Sequence, residues 1–236
     1  MKQVVVLCTY NEANNICCLL NELKMFDIIV VDDNSPDGTG FLVSKYNNVK
    51  LITRQSKLGI ASAYLTAFRE AIDGGYDLIM QMDAGTTHKP DDVKKMFDLS
   101  EKTDAELVIG SRFIEEYKFK GFRTVLSRIA YFLMRLIGVK QKDVTSGLRC
   151  WRSSLLKKID FNLITAKGFS FQLQMLYYAT KSTNNIVVHP IKYRLTNSSL
   201  SFNMIIEAIF VYKELFIKNL KWRNCEKNTV FRVCRK

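Results

Sequence analysis

A chain of 236 residues with 47 % apolar and 25 % charged side chains is long enough to bury roughly 70 to 75 % of its unfolded surface, which suits a single α/β domain and does not indicate disorder. Lysine and arginine exceed aspartate and glutamate by 35 to 23, and the resulting formal charge of +12 draws the chain to an anionic partner without choosing among nucleic acid, lipid and phosphorylated substrate. The opening MKQVVVLCTYNEA turns polar too soon for a signal peptide and nothing reaches the roughly 18 apolar residues of a spanning helix, so a cytosolic or peripheral protein is expected.

The first residues, VVVLCT, read as a buried strand, followed by an amphipathic helix to Lys24, the strand DIIVVDD, a short helix and the strand NVKLITR. This alternation predicts βαβ units and a mostly parallel sheet. A helix over 60–72 places Ala61, Tyr64, Leu65, Phe68 and Ile72 on one apolar face and stops at Gly74 and Gly75. The strand YDLIMQMD follows, then a helix that starts at Pro90 with Asp91 and Asp92 in its first turn and ends near Glu101, then the strand AELVIGSR. Beyond Arg112 longer helices are predicted near 121–137, 169–181 and 201–221, with the strand IVVHPIKYR between the last two. Cys8, Cys17, Cys18, Cys150, Cys225 and Cys234 form no C-x-x-C pair and no zinc spacing, which favours reduced thiols.

In an open α/β sheet ligands bind beyond the carboxyl ends of the strands. The first strand delivers Thr9, Tyr10, Asn11 and Glu12 there, the second Asp32 and Asp33, the fourth Asp83, and the fifth Ser111 and Arg112. Such a rim suits a nucleotide: carboxylates accept from a base or ribose, and the planar fork of an arginine meets phosphate oxygens. Strand-end aspartates also cap helices and close turns, which is the reading favoured for Asp32, Asp37 and Asp91. Asp33 and Asp83 together read as functional. The first βα turn, CTYNEANNI, has no glycine and no Walker lysine motif occurs, so phosphates are held by another route.

Seven segments in order, CTYNEANNI, IIVVDDNSPDGTG, SKLGIASAY, MDAGTTHKP, VIGSRF, DVTSGLRCW and KGFSFQLQMLY, resemble family-two glycosyltransferases, and most closely the dolichol-phosphate mannose synthase group and its polyprenyl-phosphate relatives. The resemblance covers residues 4 to about 200. It implies a glycosyltransferase A-type fold, a Rossmann-like, mostly parallel α/β sheet flanked by helices. It divides the chain into a catalytic domain over 1–200 and an amphipathic helix with a basic tail over 201–236. The activity it implies is inverting transfer of mannose or glucose from a nucleotide-diphosphate sugar to a polyprenyl phosphate at the cytosolic face of a membrane. Carried over position by position, the nucleotide lies against Cys8, Tyr10, Glu12, Val31 and Asp33. Asp83 and Ala84 approach the ribose, the diphosphate and a Mg²⁺ or Mn²⁺ ion, while Arg112 and Arg194 hold phosphates. An ionised lipid phosphate needs no general base, so the protein's task is positioning and charge stabilisation.

Four departures from that pattern bear on activity: Gly85 replaces the second aspartate of D-x-D, Thr87 stands where another polar ligand often lies, Gln174 replaces a glutamate, and Leu200 replaces a phosphate-binding lysine. Three of them, Gly85, Gln174 and Leu200, remove charge at or near the expected active centre, weaken the expected metal and acceptor sites and motivate an alternative, a weakened or silent nucleotide-binding scaffold. Lys57 or Lys89 could stand in for a cation, whereas His88 reads as a polar neighbour. A third reading keeps the enzyme but changes the acceptor to a protein or soluble glycan. Gln174 argues against it, because such acceptors often need a strong base. KFKGFRTVLSRIAYFLMRLIGVK mixes Lys120, Arg123, Arg128 and Arg135 with long apolar residues, which fits either an interfacial helix on anionic lipid or a core helix with solvated arginines. The last helix carries a narrow polar stripe through Asn203, Glu207, Glu214, Lys218 and Lys221. It suits packing on the domain, a membrane interface or a partner subunit, including a membrane-spanning one. No nucleic-acid motif is present and none is expected to bind.

Overall fold

The computed structural model describes residues 1–85, 88–112, 122–192 and 201–233. Their order is β1 Gln3–Thr9, α1 Ala13–Glu22, β2 Asp27–Asp32, α2 Thr39–Val43, β3 Val49–Thr53, α3 Ile60–Asp73, β4 Leu78–Asp83, α4 Pro90–Thr103 and β5 Leu107–Ser111. Then come α5 Phe122–Leu136, β6 Arg149–Arg152, α6 Ser153–Lys158, a 3₁₀ turn at Phe161–Leu163, α7 Phe171–Ser182, β7 Ile186–Pro190 and α8 Phe202–Val233.

The strands form one seven-stranded sheet in the order β3-β2-β1-β4-β6-β5-β7. All neighbours are parallel except β6, which runs against both β4 and β5. The apolar runs of β1, β2 and β4 have one physical cause: helices cover both faces, so successive side chains are buried on opposite sides. Val4 and Val6 join the core beneath α3, α6 and α7, whereas Val5 and Leu7 join the core beneath α1 and α4. Tyr64, Phe68, Phe171 and Trp151 form an aromatic cluster in the first of these.

Two elements differ from expectation. The antiparallel strand β6 lies within DVTSGLRCW, which was read only as a motif. Arg149 is fully buried within it. The last helix continues past Lys221 to Val233. Of its polar stripe, Glu207, Glu214 and Lys218 turn toward the domain while Asn203 and Lys221 stay exposed: Glu214 bonds Lys218 at 2.6 Å and Thr165 at 2.6 Å, Lys218 reaches the Tyr178 hydroxyl at 2.8 Å, and beside them Asn219 accepts from Lys181 at 2.9 Å. Val211 and Leu215 are buried beside them, while Ile209, Phe210, Ile217 and Leu220 stay exposed.

Candidate active site

The order of strands reverses between the parallel neighbours β1 and β4, the switch point of the sheet. Register there sets Cys8 beside Val31 on one side and Asp83 on the other. The strand ends therefore carry the residues that the sequence nominated. Val31 is buried in the sheet and Ala84 behind it, Glu12 is half-buried and accepts from the Asn15 amide at 3.2 Å, and Tyr10 is exposed with the Lys57 ammonium 3.8 Å above its ring. Burial pushes the Cys8 thiol well up, so it is a neutral wall and no nucleophile.

Asp32 and Asp37 are turn residues. Asp32 accepts from the Thr9 hydroxyl at 2.7 Å, the Ser35 hydroxyl at 2.6 Å and the Ser35 amide at 2.9 Å. Asp37 binds the amides of Ala13 and Thr39, both at 3.0 Å. Asp33 differs. It is buried, accepts from the amides of Leu58 and Gly59 at 3.2 and 3.3 Å, and pairs with Arg54. Arg54 is fixed in turn by the Ser62 hydroxyl at 2.7 Å and the Gly59 carbonyl at 3.0 Å. Sequence reading missed Arg54; its position directly after β3, level with Asp33 after β2, was the available signal.

Asp83 closes β4 with its side chain 28 % exposed, so it can be reached from solvent. The one proton of the Tyr64 hydroxyl is shared between Asp83 Oδ1 at 3.2 Å and the Met82 carbonyl at 2.9 Å, and His88 Nε2 lies 3.5 Å from Asp83 Oδ2. Burial raises the Asp83 pKa, but His88, Tyr64 and Arg112 together outweigh it and hold the carboxyl below its usual range. Tyr64 was read only as part of an apolar face and His88 only as a polar neighbour; both orient this carboxylate. The residue at 147 has to be small, because a Cβ there would stand 2.7 Å from Asp83 Oδ2. A Cβ at Gly85 would meet nothing within 4 Å.

Arg112 grips buried Asp143 through Nε and Nη2 at 2.9 and 2.6 Å, and Nη2 also reaches the Thr145 hydroxyl at 2.7 Å. Its guanidinium thus anchors the 143–147 loop, whose Gly147 seats Asp83. Arg149 holds the same loop from below by donating to the Val144 carbonyl at 2.9 Å and to the Gln172 carbonyl at 2.9 Å; burial lowers its pKa to about 9. Arg194 lies outside the described residues, as do Thr87 and Leu200. Gln174 is buried and satisfied: its oxygen accepts from the amides of Thr165 and Ala166 at 3.0 and 2.9 Å, and its nitrogen donates to the Thr165 hydroxyl at 2.7 Å and lies 3.5 Å from Glu214.

No group of three histidine, cysteine or carboxylate side chains is placed to hold a metal among the described residues. One accessible carboxylate does fit a hard cation that takes its remaining oxygens from a diphosphate and water.

Comparison with known proteins accords with this geometry. The chain is 33 % identical to the polyprenol monophosphomannose synthase of Mycolicibacterium smegmatis, over 92 % of this chain and 88 % of the relative. It is 31 % identical to the undecaprenyl-phosphate mannosyltransferase of Micrococcus luteus, over 89 % and 91 %. Among solved structures, glucosyl-3-phosphoglycerate synthase from Mycobacterium tuberculosis bound to UDP superposes with a TM-score of 0.71 at 17 % identity, covering 91 % of this chain and 79 % of that one. The same enzyme with Mn²⁺, UDP-glucose and phosphoglyceric acid gives 0.64 over 90 % and 80 %. The fold is thus that of the glycosyltransferase A-type enzymes, and divalent metal occurs within that group. Residues 4–160 match the pattern described as Glycosyl transferase family 2, and with two relatives above 30 % identity along most of its length, this chain belongs to that glycosyltransferase family.

Proposed function

We propose that the chain transfers a hexose, mannose in the first instance, with inversion from a nucleotide-diphosphate sugar to a polyprenyl phosphate at the cytosolic face of a membrane. The observation that carries this reading is the ionised, solvent-reachable Asp83 at the β1–β4 switch point, in a chain whose relatives act on polyprenyl phosphates. Asp33, Arg54, Tyr10 and Lys57 form the nucleotide side of the rim, and Arg112 forms the phosphate side with the 143–147 loop. Mg²⁺ or Mn²⁺ bound at Asp83 would neutralise charge on the departing diphosphate. The protein's own groups do the rest: Tyr64 and His88 fix the carboxylate, and the lipid phosphate attacks while already ionised. Incubating purified protein with labelled GDP-mannose or UDP-glucose and polyprenyl phosphate should give a lipid-linked hexose; no product under any cation condition sinks the proposal.

Gly85 favours a second reading, a transferase with weakened metal affinity or a silent scaffold. The open space at this position makes Gly85→Asp a clean test. In calorimetry with GDP present, it should tighten Mn²⁺ binding about 10-fold by adding a second oxygen ligand. Unchanged affinity would show that the open space does not face the cation. Gln174→Glu is a poorer restoration, because it sets a new carboxylate against Glu214.

The exposed face of α5 interleaves Val125, Ile129, Phe132 and Leu136 with Arg128 and Arg135. This pattern, with the outward apolar residues of α8, supports attachment to an anionic lipid surface. No helix among the described residues is long and apolar enough to cross a membrane. Phe132→Glu should lower partition onto phosphatidylglycerol vesicles about 10-fold, from the lost apolar burial. Undiminished flotation would place the contact elsewhere.

A further inference from the structure

We propose that Glu207 is a positioning residue through which α8 sets the shape of the nucleotide rim, an inference that rests on reading the rim as the donor site. Glu207 Oε1 accepts the backbone N–H groups of both Lys167 and Gly168, each at 2.8 Å. The Lys167 carbonyl then accepts from the Ala61 amide at 3.2 Å and lies 2.9 Å from where a Cβ on Gly59 would stand. Gly59, at φ +94°, donates its amide to Asp33 and its carbonyl accepts from Arg54.

Hydrogen bonds to Glu207 from Lys167 and Gly168, from Ala61 to Lys167 and from Gly59 to Asp33, linked by the 59–61 backbone, thus join a helix with an exposed apolar face to the carboxylate expected to meet the nucleotide. This path runs through two backbone contacts that glycine makes close. At Gly59 a Cβ would collide with the Lys167 carbonyl, and at Gly168 a Cβ would stand 2.7 Å from Glu207 Oε2. A carboxylate accepting two amides is a charge-assisted clamp of fixed geometry. A cleft lined by Thr165, Ala166, Ile206 and Phe210 lies alongside it. Polar contacts therefore carry much of the join between α8 and this loop.

The test combines amide hydrogen exchange without ligand and GDP or UDP titration, on the full chain. Glu207→Ala should speed exchange at Lys167 and Gly168 and also at Leu58 and Gly59, and weaken nucleotide binding by about 5- to 10-fold. Glu207→Gln should restore both, because one amide oxygen accepts both N–H groups. Gly168→Ala, which pushes the carboxylate aside without removing it, should reproduce the alanine pattern. Leu215→Ala loosens α8 through its core contact and should leave Leu58 and Gly59 unchanged. Faster exchange confined to Lys167 and Gly168, or equal effects of Leu215→Ala at Leu58 and Gly59, would overturn the coupling. A wild-type chain that binds neither nucleotide would overturn the donor-site reading, while the exchange pattern still decides the coupling.

Discussion

Asp83→Asn should cut transfer at least about 100-fold, the scale on which losing one preorganised electrostatic contact acts at a reacting diphosphate, while the fold survives. The amide oxygen can still accept from Tyr64 and the side chain keeps its shape beside Gly147, so the losses are the charge and its contact with His88. The wild-type carboxyl is held below its usual range, so it is charged throughout the neutral region. Its contribution to stability has the depressed-carboxylate sign: present above the unfolded pKa and lost only as pH falls through the lower folded value. Activity should therefore show no inflection from this group between about pH 5 and 8. A rate for Asp83→Asn within a few-fold of wild type would remove Asp83 from the mechanism.

Arg112→Met should be the most damaging single change to stability. It strands Asp143, whose side chain is wholly buried, and breaking a buried pair by removing one partner costs roughly 3–5 kcal/mol. Arg149 lies close enough to interact with Asp143 and should hold the loss to the lower part of that range. Arg112→Met combined with Asp143→Leu should recover part of the melting temperature, because Asp143 is no longer stranded, while buried Arg149 loses its neighbouring carboxylate and limits the recovery. If Arg112 also meets substrate phosphate, the double variant should stay inactive despite its restored fold. Recovered activity would confine Arg112 to holding the loop.

Much of this was legible from the residues. Strands β1, β2 and β4 are continuous apolar runs because both faces of the sheet are covered, and runs of that kind announce themselves. The rim was readable for the same reason, since Asp33, Asp83 and Arg112 immediately follow such runs. β6 was not readable: a buried arginine that donates to two carbonyls looks in sequence like surface charge. Arg54 was missed because nothing local marks its pairing with a residue one strand away. The direction of α8 was also hidden. Periodicity locates a polar stripe, but here the neighbouring backbone amides of the 165–168 segment and the polar groups of α7 turn its middle, Glu207, Glu214 and Lys218, inward and leave Asn203 and Lys221 exposed.

Strand order also fixes when the parts can assemble. β3, β2, β1 and β4 are neighbours drawn from residues 3–83, so every strand of the half of the sheet that carries Asp33 and Asp83 has been synthesised by that point. β5 cannot join it then, because its partners in the sheet are β6 and β7, both made later. Until Arg149–Arg152 arrives and lies down against β4, that central strand keeps a bare hydrogen-bonding edge. The short reversed strand, two of whose four residues are arginines, is thus the closing piece that joins the two halves of the nascent sheet.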